Sequence, residues 1–164
     1  MQEFKKFKVL ILFFLLSFNL FNAQNKGYIE GKVIGITDGD TFSLLLEKDN
    51  FDIKIRINAI DCPERKQPYS QKAKQHLSNL IFGKNIKVYY SKKDGYGRVL
   101  GTVFVNNVNV NEEMIRSGFA WHYVKYSKDT ELQKIEEIAK ANKIGLWSDP
   151  HAIPPWEWRK TKHK

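Results

Sequence analysis

A chain of 164 residues with 42% hydrophobic side chains suits one domain with a modest core. Its formal net charge of +9 predisposes it to polyanions, although charge alone chooses neither nucleic acid, anionic lipid nor acidic glycan, and also serves solubility. A single cysteine, Cys62, excludes an internal disulfide, so the core must hold the fold unaided.

Lys5, Lys6 and Lys8 precede an unbroken apolar run from Val9 to Leu16 that continues to Phe21, followed by "NAQNKG". A transmembrane anchor needs about 20 apolar residues; this shorter run with a small-residue exit has the pattern of a secretory signal cut after Ala23. The expected product is secreted or periplasmic, with no stable membrane anchor. Losing residues 1–23 removes three lysines and one glutamate, leaving 24 basic and 17 acidic residues, a net +7.

Period-two or apolar runs predict strands over Tyr28–Ile36, Thr41–Glu47, Phe51–Ile57, Ile86–Tyr90 and Val99–Val105. Between the third and fourth, Ala73, His76, Leu77, Leu80 and Ile81 share a helical face, and Gly83 supplies a left-handed stop. Two more helices follow. Asn111 is expected to cap "EEMIRSG"; Thr130, with Gln133 as capping-box partner, opens a helix that buries Leu132, Ile135, Ile138 and Ala139. The order βββαββαα implies an α+β domain: a five-stranded Greek-key barrel of the OB-fold with three helices, over residues 24–148. Residues 149–164 contain "DPHAIPPWEWRK", whose prolines predict an extended basic tail. Trp156 and Trp158 are expected to pin it to the body or to touch a base.

In the third strand Phe51, Ile53, Ile55 and Ile57 alternate with Asp52, Lys54, Arg56 and Asn58, which turns Arg56 away from the core. Asp61 and Glu64 follow at its end, where Pro63 stiffens the exit. A second acidic turn, Asp38-Gly39-Asp40, joins the first two strands. An Asp-Gly pair there is an ordinary hairpin device, but barrel closure would bring Asp40 to Asp61, and two neighbouring carboxylates either raise a pKa or share a cation. Oxygen-only donors suit Ca²⁺ or Mg²⁺. Zinc is not indicated, because His76, His122, His151 and His163 are scattered and no second cysteine exists. The turn "KKDGYGRVLG" lacks a complete phosphate-cradling motif, yet delivers Arg98 to the fifth strand. Arg56 and Arg98 together would grip a phosphate as a two-armed clamp. Cation, acids and arginines make a coherent set for phosphodiester hydrolysis, with Glu64 as proton acceptor.

"DGDT" (residues 38–41), "IRINAIDCPE" (55–64) and "DGYGR" (94–98), with "VNVNEEMIRSGFAWHY" (108–123) and "NKIGLWS" (142–148), resemble the thermonuclease family, typified by secreted staphylococcal nuclease. The resemblance spans nearly all of the mature chain. It implies an OB barrel with three helices and a Ca²⁺-dependent endonuclease that acts on DNA and RNA and leaves 3′-phosphates. It further implies that Asp40, Asp61 and the backbone carbonyl of Cys62 hold calcium, that Glu64 is the general base, and that Arg56 and Arg98 bind phosphate. It implies that Tyr96, retained in the glycine turn, stacks on a nucleotide, whereas Tyr123 and Tyr126 match only in part the substrate-contacting pair of tyrosines after the second helix. Cys62 stands where the family often has threonine, and Gly95 where it often has lysine. A monomer is expected.

Two other readings use the same charge. A non-catalytic OB module binding single strands explains the basic groove and Tyr96, and an adhesin for acidic polymers explains export. Neither gives Asp40, Asp61 and Glu64 a task in an anion-binding groove.

Overall fold

Alternating burial along the strands curls the sheet around one core. In chain order the elements are β1 (Tyr28–Ile36), β2 (Thr41–Leu46), β3 (Phe51–Ile57), β4 (Ile60–Asp61), α1 (Ser70–Ile81), β5 (Asn85–Lys93), β6 (Val99–Val105), β7 (Val108–Asn109), α2 (Val110–Arg116), β8 (Trp121–His122), α3 (Thr130–Ala141), a short 3-10 turn (Gly145–Ser148) and α4 (Pro155–Thr161). The computed structural model describes residues 27–161 apart from 47 and 49. The export signal expected over residues 1–23, and His163, lie outside the described residues.

The sheet order is β3-β2-β1-β5-β6, and β6 also pairs with β3, which closes a five-stranded barrel. That closing ladder is parallel, with Ile55, Arg56 and Ile57 opposite Val99, Leu100 and Gly101. The expected α+β OB-type barrel is therefore present. Val33, Phe42, Leu44, Ile55, Ile57, Val88 and Val103 point inward and are buried. α1 plugs one end with Ala73, Leu77 and Ile81, and Gly83 beyond it takes φ 73° as its left-handed stop. The two-residue bridge between β4 and β8 sets Asp61 opposite Trp121, so the chain leaving β3 is fixed at the point where the acids begin. Among the described residues no helix is long and apolar enough to cross a membrane.

Four expectations need correction. Asn109, not Asn111, caps α2, its side chain accepting from the N–H groups of Asn111 and Glu112. Asn111 is buried and spends its amide on Asn58 and Val103. Asp129, not Thr130, caps α3. On α3 Ile138 is exposed, whereas Glu136 is buried, accepting from the His122 N–H at 3.0 Å and pairing with Lys140 at 2.7 Å. Finally, the tail is not extended: Pro155–Thr161 forms α4 as a fourth helix. Pro155 stands at its first position, where the missing N–H costs nothing and the fixed φ already suits a helix.

Candidate active site

The site begins at the β1–β2 turn. Thr37 donates its N–H to the Thr41 carbonyl at 2.9 Å, and Asp38 Oδ1 accepts from the Asp40 N–H at 3.1 Å, which tightens the turn. Gly39 is required by packing: a Cβ there would lie 2.8 Å from the Cys62 Cβ and 2.9 Å from that of Ala73. The turn thus rests directly on the β4 exit. There the Cys62 N–H donates to Asp40 Oδ2 at 2.9 Å, and the Ile57 N–H donates to the Asp40 carbonyl at 2.8 Å.

Arg56 ties the two turns together. Its Nε lies 3.2 Å from Asp40 Oδ1 and its Nη2 3.0 Å from Asp61 Oδ1. Nη1 donates to the carbonyls of Ile57 and Ile60 at 2.6 and 3.0 Å. A buried guanidinium loses solvation, which lowers its pKa, but Asp40 and Asp61 reverse that and leave it raised. Asp61, only 2% exposed, has its pKa raised by burial against the opposing pull of Arg159 and Arg56. Burial and neighbouring Asp40 push Asp38 up to about 6. The buried Cys62 thiol is pushed well above its usual range by the same burial and by Asp40, so it is not a nucleophile.

Asp38 gives a stability prediction. Its folded pKa lies above the usual 3.8, so its contribution is fully present below pH 3.8 and is lost as pH rises through about 6. Without divalent cations, stability should fall by about 2–3 kcal/mol across that window from this group. Asp38→Asn keeps the acceptor for Asp40 and should flatten the fall. Denaturant unfolding at pH 4 and pH 7, in chelator, measures it; equal slopes in parent and variant would refute it.

Glu64 sits in a turn closed by two hydrogen bonds with Gln67, whose side-chain Oε1 accepts from the Glu64 N–H at 2.9 Å and whose N–H donates to the Glu64 carbonyl at 2.8 Å. The carboxylate is joined to Asp61 by a residue that sequence reasoning did not assign to the site. Arg159, on α4, places Nη1 2.6 Å from Glu64 Oε1 and Nη2 2.8 Å from Asp61 Oδ2. Its guanidinium loses solvation, yet hydrogen bonds to Asp61 and Glu64 leave its pKa raised. The signal was available in "PWEWR": with Pro155 as a helix start, Trp156 and Arg159 are three apart and share one face.

The structure therefore brings together Asp40, Arg56, Asp61 and Glu64. Arg98 is paired within its own turn: its Nε and Nη2 both lie 2.8 Å from Asp94 Oδ2. Tyr96 stacks against Arg98 and is 88% exposed. Tyr123 and Tyr126 meet edge to face at 4.7 Å, and Trp156 lies flat on Tyr123 at 5.2 Å and 3°. Tyr126 is exposed, whereas Tyr123 is covered on that face by the tail.

Two buried carboxylates on one guanidinium, beside the Cys62 peptide, are all-oxygen donors of the kind a hard cation prefers. In chemistry they fit such an ion. Among the described residues no three His, Cys, Asp or Glu side chains close on one point; Arg159 pairs with both Asp61 and Glu64.

Residues 54–149 match the family described as staphylococcal nuclease homologue. The chain is 39% identical over 153 residues to an uncharacterized endonuclease of Haemophilus influenzae, covering 93% of this chain and 85% of that protein. It is 37% identical over 141 residues to a micrococcal nuclease of Shigella flexneri, covering 79% and 80%. A staphylococcal-like nuclease of Arabidopsis thaliana is 43% identical over 109 residues, 66% of this chain and 34% of that protein. Barrel, acid–arginine site and these similarities agree: the chain belongs to the staphylococcal nuclease family and is a nuclease.

Proposed function

We propose that the chain is an exported, monomeric, calcium-dependent endonuclease that hydrolyses phosphodiester bonds of DNA and RNA, leaving 3′-phosphate and 5′-hydroxyl ends. The observation that carries this reading is the convergence of Asp40 and Asp61 on Arg56 with Glu64 one guanidinium away. Asp40, Asp61 and the Cys62 carbonyl would hold the cation. When bound, it supplies Lewis-acid polarisation of a phosphoryl oxygen. Glu64 takes a proton from the attacking water, whose oxygen bonds to phosphorus as the bond to the 5′ oxygen breaks and that oxygen takes a proton from solvent water to leave as the 5′-hydroxyl. Arg56 donates to the oxygens on which charge gathers, and Arg98 is the second donor once it leaves Asp94. Tyr96 and Tyr126 offer exposed faces for unpaired bases. A module that only bound strands would gain nothing from burying Asp40 and Asp61 in an anion-binding groove, where each costs desolvation.

End analysis after limited digestion tests this reading. The products should accept label from a 5′-hydroxyl kinase without prior dephosphorylation, and single strands should be cut faster than matched duplex. Products bearing 5′-phosphates would contradict the direction of bond breaking, and equal rates on the two substrates would remove the role given to the exposed tyrosines.

A further inference from the structure

α4 lies beyond residues 54–149, the stretch matched to the family, yet it reaches the centre of the site. We propose that Arg159 is a positioning residue of the cleavage reaction, its fork seated across Asp61 and Glu64 so that the Glu64 carboxylate is held beside the Asp40–Asp61 pair. The inference rests on the nuclease reading above and deepens it.

Geometry supports this in three ways. The Glu64 side chain is 35% exposed, and a half-exposed glutamate left alone would sample several rotamers. Two charge-assisted bonds from one planar fork, at 2.6 and 2.8 Å, select one of them. Second, the segment that carries α4 has anchors besides Arg159. Trp156 stacks on Tyr123, and Gln67, which closes the Glu64 turn, donates its side-chain amide to the Ile153 carbonyl at 2.6 Å. The segment and the Glu64 turn are built as one piece. Third, Arg159 is the counter-charge that Asp61 and Glu64 share: both carboxylates pair with its fork, while Arg56 serves Asp40 and the other oxygen of Asp61.

The same charge repels the cation, and this separates the proposal from its competitors. Removing Arg159 should tighten cation binding while slowing turnover. A helix that merely blocked the site would, when loosened, raise both; a helix that merely supported the fold would lower both.

The experiment uses the full chain, Arg159→Met and Arg159→Lys. Calcium binding is measured by calorimetry without nucleic acid, cleavage of a single-stranded oligonucleotide gives kcat and KM, and melting monitors the fold. For Arg159→Met we expect calcium to bind roughly tenfold tighter, kcat to fall about 10–100-fold and KM to change little. Arg159→Lys, which keeps the charge but loses the fork, should bind calcium like the parent and turn over between the other two. Calcium affinity and kcat that rise together, fall together or stay put in Arg159→Met would overturn the assignment. The parent tests the underlying reading in the same experiment. A parent that neither binds calcium nor cuts overturns both, whereas an active, calcium-binding parent with an unaltered Arg159→Met overturns the role of Arg159 alone.

Discussion

Replacing Arg56 by methionine is expected to destabilise the fold by about 3–5 kcal/mol and to abolish cleavage. The methionine occupies similar space, so packing is not the main loss. Arg56 is the shared counter-ion of Asp40 and Asp61, both of them buried. Removing one partner of a buried pair leaves uncompensated charge, which costs about 3–5 kcal/mol. That is a large part of the ~5–15 kcal/mol by which a domain is stable. Calcium should return part of the loss, since an ion bound to the folded state alone stabilises it by mass action. Arg116 supplies the contrast. Its pairs with Glu112 and Glu113 lie on the surface of α2, and Arg116→Met should stay within about 0.5 kcal/mol of the parent. Urea unfolding in chelator and in calcium measures both; an Arg56→Met midpoint equal to the parent's would refute the counter-ion role.

Glu64→Gln has the opposite signature, a large kinetic loss with little structural loss. The side chain is partly exposed and its turn is held through backbone and Gln67, so melting should change little. Glutamine keeps an oxygen for Arg159 but cannot take a proton at neutral pH. Single-turnover cleavage should fall ~10²–10⁴-fold, the usual contribution of a general base. A variant that cuts within a factor of two of its parent would take the proton-accepting role away from Glu64.

The barrel was legible because the strands carry a period of two and α1 carries an apolar stripe ended by Gly83. Arg56 was legible for the same reason, since its neighbours in β3 alternate inward. Several of the errors involve partners far along the chain. Glu136 displaced Ile138 from the buried face of α3 because the His122 backbone needed an acceptor, and helical spacing holds no record of that need. Asn109 and Asn111 are equally good caps by residue type; Asn111 is taken by Asn58 across 53 positions. Counting prolines made the tail extended, although Pro155 only opens a helix. Arg159 meets Asp61 across 98 positions, a contact that requires α4 to exist first. Arg98 was the reverse case: Asp94 stands four residues before it in sequence, and this local pair holds its guanidinium in the turn.

The central claim, that Asp40 and Asp61 assemble one cation-dependent cleaving site on Arg56, is tested most directly by incubating the chain with long DNA in calcium, in chelator, and in chelator followed by excess calcium. The account predicts internal cutting in the first, none in the second, and recovery in the third. Undiminished cutting in chelator would contradict it.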